Sequence, residues 1–223
     1  MRVLIVFYSK TGNVAKLAEA IAEGARQVEG TEVVLRRVDD LAPEEVINRQ
    51  EGWKKWHDEL KSKYREPTLD ELVEADAIIF GTPTRYGNVS AELKQFIDMT
   101  GSLWAQGKLV NKVGSVFTSA STVHGGQELT TFTMLAPLIH LGMVLVAPGY
   151  ADPVMFAGGA PYGATSTSGP NADQNPSEAD LAAARFQGRR VAELATALKR
   201  GLAEPRITMV PEGEKVTYAT GND

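Results

Sequence analysis

Three short polar turns hold the residues of this chain best suited to chemistry. The first is Ser9-Lys10-Thr11-Gly12-Asn13-Val14. Its hydroxyls and amide, its glycine and the helix pattern that follows would aim free backbone N–H groups at an anion such as a phosphate. It has neither the GK[ST] of a Walker loop nor the GxGxxG of dinucleotide folds, and a plain capped helix start accounts for the same residues. The second turn is Thr82-Pro83-Thr84-Arg85-Tyr86-Gly87-Asn88. A rigid proline, a glycine and an aromatic can present backbone N–H groups and a ring edge to a planar ligand. In the third, Thr118-Ser119-Ala120-Ser121-Thr122-Val123-His124-Gly125-Gly126-Gln127, the side chains are small enough for a flat ring to approach the backbone. A flexible loop is the alternative there.

Each turn follows an apolar run. Val3–Phe7 is unbroken, as a strand covered on both faces requires. Val14, Leu17, Ala18, Ile21, Ala22 and Ala25 then fall on one helical stripe. "TEVVLRRV", "ADAIIFGTPT", "KVGSVFTSAS" and "MVLVAPG" read as further strands, and "SAELKQFIDMTG" as a helix with Ser90 at its N-cap. "GGQELTTFTMLAPLIHLG" reads as a helix interrupted near Pro137, and Ser177 opens a long final helix. Strands alternating with helices predict an α/β fold: a doubly wound, five-stranded parallel sheet of the flavodoxin-like kind, with helices on both faces. Residues 1–200 would form this domain, with a polar helical insertion at 42–74 around Trp53 and Trp56. Residues 148–176 are rich in Gly, Pro, Ser and Ala and read as a long loop without periodicity. The tail, 201–223, reads either as a hairpin or as disordered chain.

Composition narrows the function. A net charge of −5 over 223 residues argues against a nucleic-acid partner. The local cluster Lys54, Lys55, Lys61, Lys63 and Arg65 is interleaved with acids and reads as a solvated helix face. With no cysteine there is no disulfide, thiol nucleophile or thiolate metal site, and no metal site of another kind is read. The first apolar run reads as a strand rather than a signal peptide, and no stretch reaches membrane-spanning length. A soluble, cytoplasmic protein is expected.

In an open parallel sheet, ligands bind beyond the carboxyl ends of the strands, and all three turns fall there. A phosphate cradle, an aromatic turn and a small-residue platform on one sheet edge suit a ligand with a phosphate tail and a flat head. Flavin mononucleotide, FMN, has that shape.

The segments "YSKTGN", "DAIIFGTPTRYGN", "GSLWAQG", "GGQE", "HLGM", "PYGAT" and "EADLAAARFQG" resemble the WrbA-type NAD(P)H:quinone oxidoreductases, over roughly residues 2–200. The resemblance implies an FMN enzyme, a homotetramer, that takes hydride from NADH or NADPH and passes two electrons to a quinone. It implies that Ser9 to Val14 bind the phosphate and ribityl chain, that Pro83 to Asn88 line the ring, and that Thr118 to Thr122, Gly125 and Gly126 support its other side. It also places His140 near the flavin, Trp104 over the open ring face and Thr11 at the pyridine nucleotide. The chain departs from the family where "SKTGNV" replaces the usual "SMYGHI", and where "SASTVHGGQE" runs about one residue longer than its counterpart. No side chain is expected to act as a nucleophile. A single-electron carrier and a non-catalytic binding protein are the readings from other classes.

Overall fold

The computed structural model describes residues 1–202, so the expectation for the tail lies largely outside the described residues. A parallel sheet forms the centre. Its strands are β1 (Arg2–Phe7), β2 (Glu32–Arg37), β3 (Ala77–Pro83), β4 (Val113–Ala120), β5 (Val144–Leu145) and β6 (Thr165–Thr167). The order is β2-β1-β3-β4-β5, with β6 also paired to β4. All pairs are parallel.

Alternate residues of β1 enter two cores, as the pleat dictates. Val3, Ile5 and Phe7 pack beneath helices α1 (Asn13–Arg26) and α8 (Glu178–Gly201). Leu4, Val6 and Tyr8 face the other side, against α4 (Leu69–Glu74), α5 (Ala91–Asp98) and α7 (Gln127–His140). The segment 42–74 holds α2 (Glu44–Ile47) and α3 (Glu51–Lys63) ahead of α4, and α6 (Gly101–Ala105) follows α5.

Helices α1 and α8 touch backbone to backbone. A Cβ on Gly24 would lie 1.8 Å from the Arg185 carbonyl oxygen, and one on Gly188 would lie 1.9 Å from that of Ile21. Gly188→Ala must therefore push the helices apart, at a cost of about 3 kcal/mol in unfolding free energy. Denaturant titration checks this; a loss under about 1 kcal/mol would mean the pair slides freely.

Three expectations need correction. The fifth strand is only Val144–Leu145, because Pro148 lacks an N–H and Gly149 turns away at φ +59°. Its position on the sheet is completed by β6, inside the segment read as having no periodic structure; a short 3₁₀ turn, Pro153–Phe156, lies there too. Helix α7 runs through Pro137, which falls in its last turn. Ser90 does stand at the α5 N-cap, yet its side chain caps nothing; its N–H donates to Thr82 Oγ1 at 3.0 Å. At Ser177 the expected cap is present, reciprocated by Asp180.

Between β5 and β6 the chain leaves the sheet, and Gln187 of α8 fills the gap. Its Oε1 accepts the Ala164 N–H at 2.7 Å, and its Nε2 donates to Ser115 Oγ and the Val116 carbonyl at 2.7 and 2.8 Å. A side-chain amide here replaces missing ladder bonds.

Candidate functional site

The three turns meet where the strand order reverses, at the carboxyl ends of β1, β3 and β4. In the first, Gly12 is the N-cap of α1 at φ +86°, and no side chain caps the helix. The first N–H groups of α1 thus have no partner from the helix itself. Ser9 Oγ accepts the Ala15 N–H at 3.3 Å, and Asn13 Oδ1 is buried with no partner among the described residues.

The second turn is a tight hairpin. Arg85 and Asn88 exchange backbone bonds at 2.9 and 3.0 Å, and Tyr86 and Gly87 both have positive φ, the signature of a primed turn. The Thr84 N–H donates to the Ser119 carbonyl at 2.9 Å, joining the second turn to the third. Thr84 Oγ1 lies 2.6 Å from Thr130 Oγ1 of α7. A Cβ on Gly126 would sit 3.1 Å from Gly87 Cα, so the third turn props up the second.

Together these turns bound a cleft of about 510 Å³, within the range of small-molecule sites. Ser9, Lys10, Thr11, Asn13 and Val14 line it, with Pro83, Thr84, Arg85, Ser119, Ala120 and Ser121. Gly12 lies beneath the Trp56 indole. Thr118 is held within the sheet, its Oγ1 donating to the Thr82 carbonyl at 2.6 Å. Tyr86 is fully exposed, and Gly87, Asn88, Thr122, Gly125 and Gly126 shape the turns without lining the cleft. Trp104 and His140 are brought together elsewhere, in a separate cleft of about 270 Å³ with Ile97, Pro137 and Leu141.

Two walls were not read from the sequence. Ser168 and Pro170 to Ala172, just beyond β6, form one; Gln50, Gly52, Trp53 and Trp56 of the insertion form the other. The insertion did carry a signal: Trp53, Trp56, His57 and Leu60 keep helical spacing in an otherwise charged segment.

Asp40 fixes that wall. Its Oδ1 accepts the Tyr8 hydroxyl at 2.6 Å and Trp53 Nε1 at 2.8 Å, while its Oδ2 accepts from His57 Nδ1 at 2.7 Å and from Arg37. Asp39, Asp40 and His57 place potential metal-ligand atoms within 4.8 Å of one another. Those of Asp40 are already taken by four donors, one of them a guanidinium, so the cluster reads as a hydrogen-bond hub. Burial would raise the Asp40 carboxyl, but the bonds from His57 and Tyr8 and the charge of Arg37 outweigh it and hold it below the usual carboxylate range. Burial and the bond to Asp40 push the Tyr8 hydroxyl up. The cleft itself is locally cationic, since Lys10 and Arg85 both face it; burial, and then the Arg85 charge, lower the Lys10 ammonium.

Fold and site define a flavodoxin-like oxidoreductase. Residues 1–153 match the model of the NADPH-dependent FMN reductase family. Two relatives called NAD(P)H dehydrogenase (quinone), from Geotalea uraniireducens and Aromatoleum aromaticum, are 47% identical over 210 and 208 residues. These alignments span 90% and 91% of this chain and 100% of each relative. Among solved structures, a flavodoxin, WrbA-like protein from Agrobacterium tumefaciens is 27% identical with a TM-score of 0.62, over 88% of this chain and 98% of that one. A flavodoxin from the domain Archaea, 20% identical with a TM-score of 0.58 over 88% of this chain and 99% of its own, shares the fold. The chain belongs to the NADPH-dependent FMN reductase family, and FMN is its cofactor. The cleft fits that group: an uncapped helix start suits the phosphate, and the orphaned Asn13 Oδ1 suits a ribityl hydroxyl.

Proposed function

We propose that the protein transfers two electrons from NADH or NADPH to quinones through bound FMN, one substrate leaving before the other enters. When bound, FMN supplies the hydride chemistry itself. The chain supplies placement. The α1 N-terminus and the Ser9 hydroxyl hold the phosphate, Asn13 Oδ1 accepts from the ribityl chain, and Pro83 to Arg85 and Ser119 to Ser121 flank the ring. Thr11, within the same turn, contacts the pyridine nucleotide. Walls from α3 and from residues 168–172 keep water from the phosphate end and leave room for one flat substrate at a time. The observation that carries this reading is the convergence of three turns on one cationic cleft at the point where strand order reverses. The relatives' names give the electron donor and acceptor.

Purified protein is expected to oxidise NADH only when benzoquinone is present, with parallel double-reciprocal lines. Intersecting lines would rule out the shared pocket, and no turnover would leave the electron-carrier reading.

A homotetramer with pockets shared between chains accounts for Trp104 and His140, which the single chain keeps apart from its own cleft. An apolar surface suits such assembly: Phe132 and Ile139 of α7 are 62% and 61% exposed, and Tyr150 stacks on Phe156 at 5.1 Å, both exposed. Light scattering should give four chains per particle; a monomer that still holds FMN would overturn the assignment. The lack of cysteine suits a reducing compartment, and we place the protein in the cytoplasm.

A further inference from the structure

Helix α3 turns an unusual face to the body of the protein. Of its inward stripe of Trp53, Trp56, His57 and Leu60, only Leu60 is a buried aliphatic. Trp56 packs against the core beneath α1, as a covering helix requires, but Trp53 belongs to neither core. Both indoles also meet cations, and Trp56 meets backbone. The Lys10 ammonium lies 3.8 Å from the Trp53 ring centroid, and that of Lys16 lies 4.9 Å from the Trp56 ring. The Trp56 ring itself lies against Gly12, 2.5 Å from where a Cβ would be.

A lysine on a turn is a flexible tether with costly rotamer freedom, and a cation over an aromatic face loses part of that freedom before any ligand arrives. Trp53 is itself held by its Nε1 bond to Asp40, and the same Oδ1 accepts from Tyr8, the residue preceding the phosphate turn. Ring, ammonium and turn are thereby referred to one buried carboxylate. Lys10 and Trp53 both line the cleft beside the α1 N-terminus.

We propose that Trp53 is a positioning residue of the FMN site: its indole, anchored by Asp40, holds the Lys10 ammonium as a preorganised counter-charge to the phosphate. The inference rests on the reading that the Ser9–Val14 turn takes that phosphate. The donors of the Ser9–Val14 turn other than Lys10 are neutral hydroxyls, amide and backbone N–H groups, so a fixed cation there adds a contribution that only a phosphorylated flavin can use.

The test separates phosphate from ring. Apoprotein is titrated with FMN and, separately, with riboflavin, following the quenching of flavin fluorescence. Lys10→Gln and Trp53→Leu should each weaken FMN binding about tenfold, and leave riboflavin binding within about twofold. Trp53→Phe, which keeps an aromatic face but loses the Nε1 bond to Asp40, should fall between wild type and Trp53→Leu. The double variant should be no worse than Lys10→Gln alone, because the two side chains act as one unit. Lys10→Gln should also flatten the salt dependence of FMN binding. Equal losses for both flavins would make Trp53 a structural residue and overturn the proposal. So would unchanged FMN affinity, or a gain in Trp53→Leu, which would mean that the indole keeps Lys10 away from the phosphate. Should Trp53→Leu not fold, Lys10→Gln and Trp53→Phe carry the comparison. Wild-type apoprotein that binds riboflavin and FMN equally well would instead sink the phosphate reading of the turn, a failure visible before any variant is made.

Discussion

Replacing Gly12 with alanine is expected to weaken FMN binding by roughly two orders of magnitude, a loss of about 3 kcal/mol. Two physical causes add. Gly12 has φ +86°, a conformation that costs a residue with a Cβ about 1–2 kcal/mol. The new methyl would also fall 2.5 Å from the Trp56 ring, so either the indole or the turn must move. A turn that yields to relieve this strain loses the geometry that faces the ligand, so part of the cost falls on affinity. The measurement is FMN affinity from fluorescence titration, alongside the melting temperature without flavin. Adding Trp56→Ala should restore the part due to the clash and leave the part due to φ. An alanine variant that binds FMN as tightly as wild type would show that the helix start does not hold the phosphate in this geometry.

The sheet was legible because a parallel strand buried on both faces reads as an apolar run: Val3–Phe7 of β1 is unbroken, β3 opens with one, and β4 keeps Val113, Val116 and Phe117. The three turns were legible for a related reason. Polar, glycine-bearing residues directly after buried strands have no role in a core, and the order β2-β1-β3-β4-β5 brings three such turns to one edge. Strand β6 was hidden because Thr165, Ser166 and Thr167 are polar and pair with β4, the first two of them buried; Ser166 Oγ, for example, donates to Ser119 Oγ at 2.9 Å. No hydrophobic alternation marks a strand of that kind. Trp53 and Trp56 were visible as residues but not as walls, since nothing local tells which way a charged helix turns its aromatic stripe. Asp40, an acid at the end of β2, settles that direction through bonds to partners 32, 13 and 17 residues away. Long-range pairing of this sort leaves no periodic trace.

The same reasoning singles out Gln187, which reads as one polar residue in a helix and works as a piece of the sheet. Gln187→Met keeps the volume and removes every polar partner. The Ala164 N–H, the Val116 carbonyl and Ser115 Oγ then lose their bonds to a residue that is 0% exposed. A buried group left unsatisfied costs about 1–3 kcal/mol, so the variant should lose about 4 kcal/mol of unfolding free energy. For a chain of this size that lowers the melting temperature by roughly 10 °C. The effect should reach the cleft as well. Ala164 leads into β6, and β6 leads into the wall at Ser168 and Pro170, so loosening the strand loosens one side of the cleft proposed for FMN. FMN should therefore raise the melting temperature of Gln187→Met by less than it raises that of wild type. Calorimetry with and without FMN reads both numbers. A loss below about 1 kcal/mol would mean that β4 closes on β6 without the amide, and that the gap in the fifth strand is no weak point.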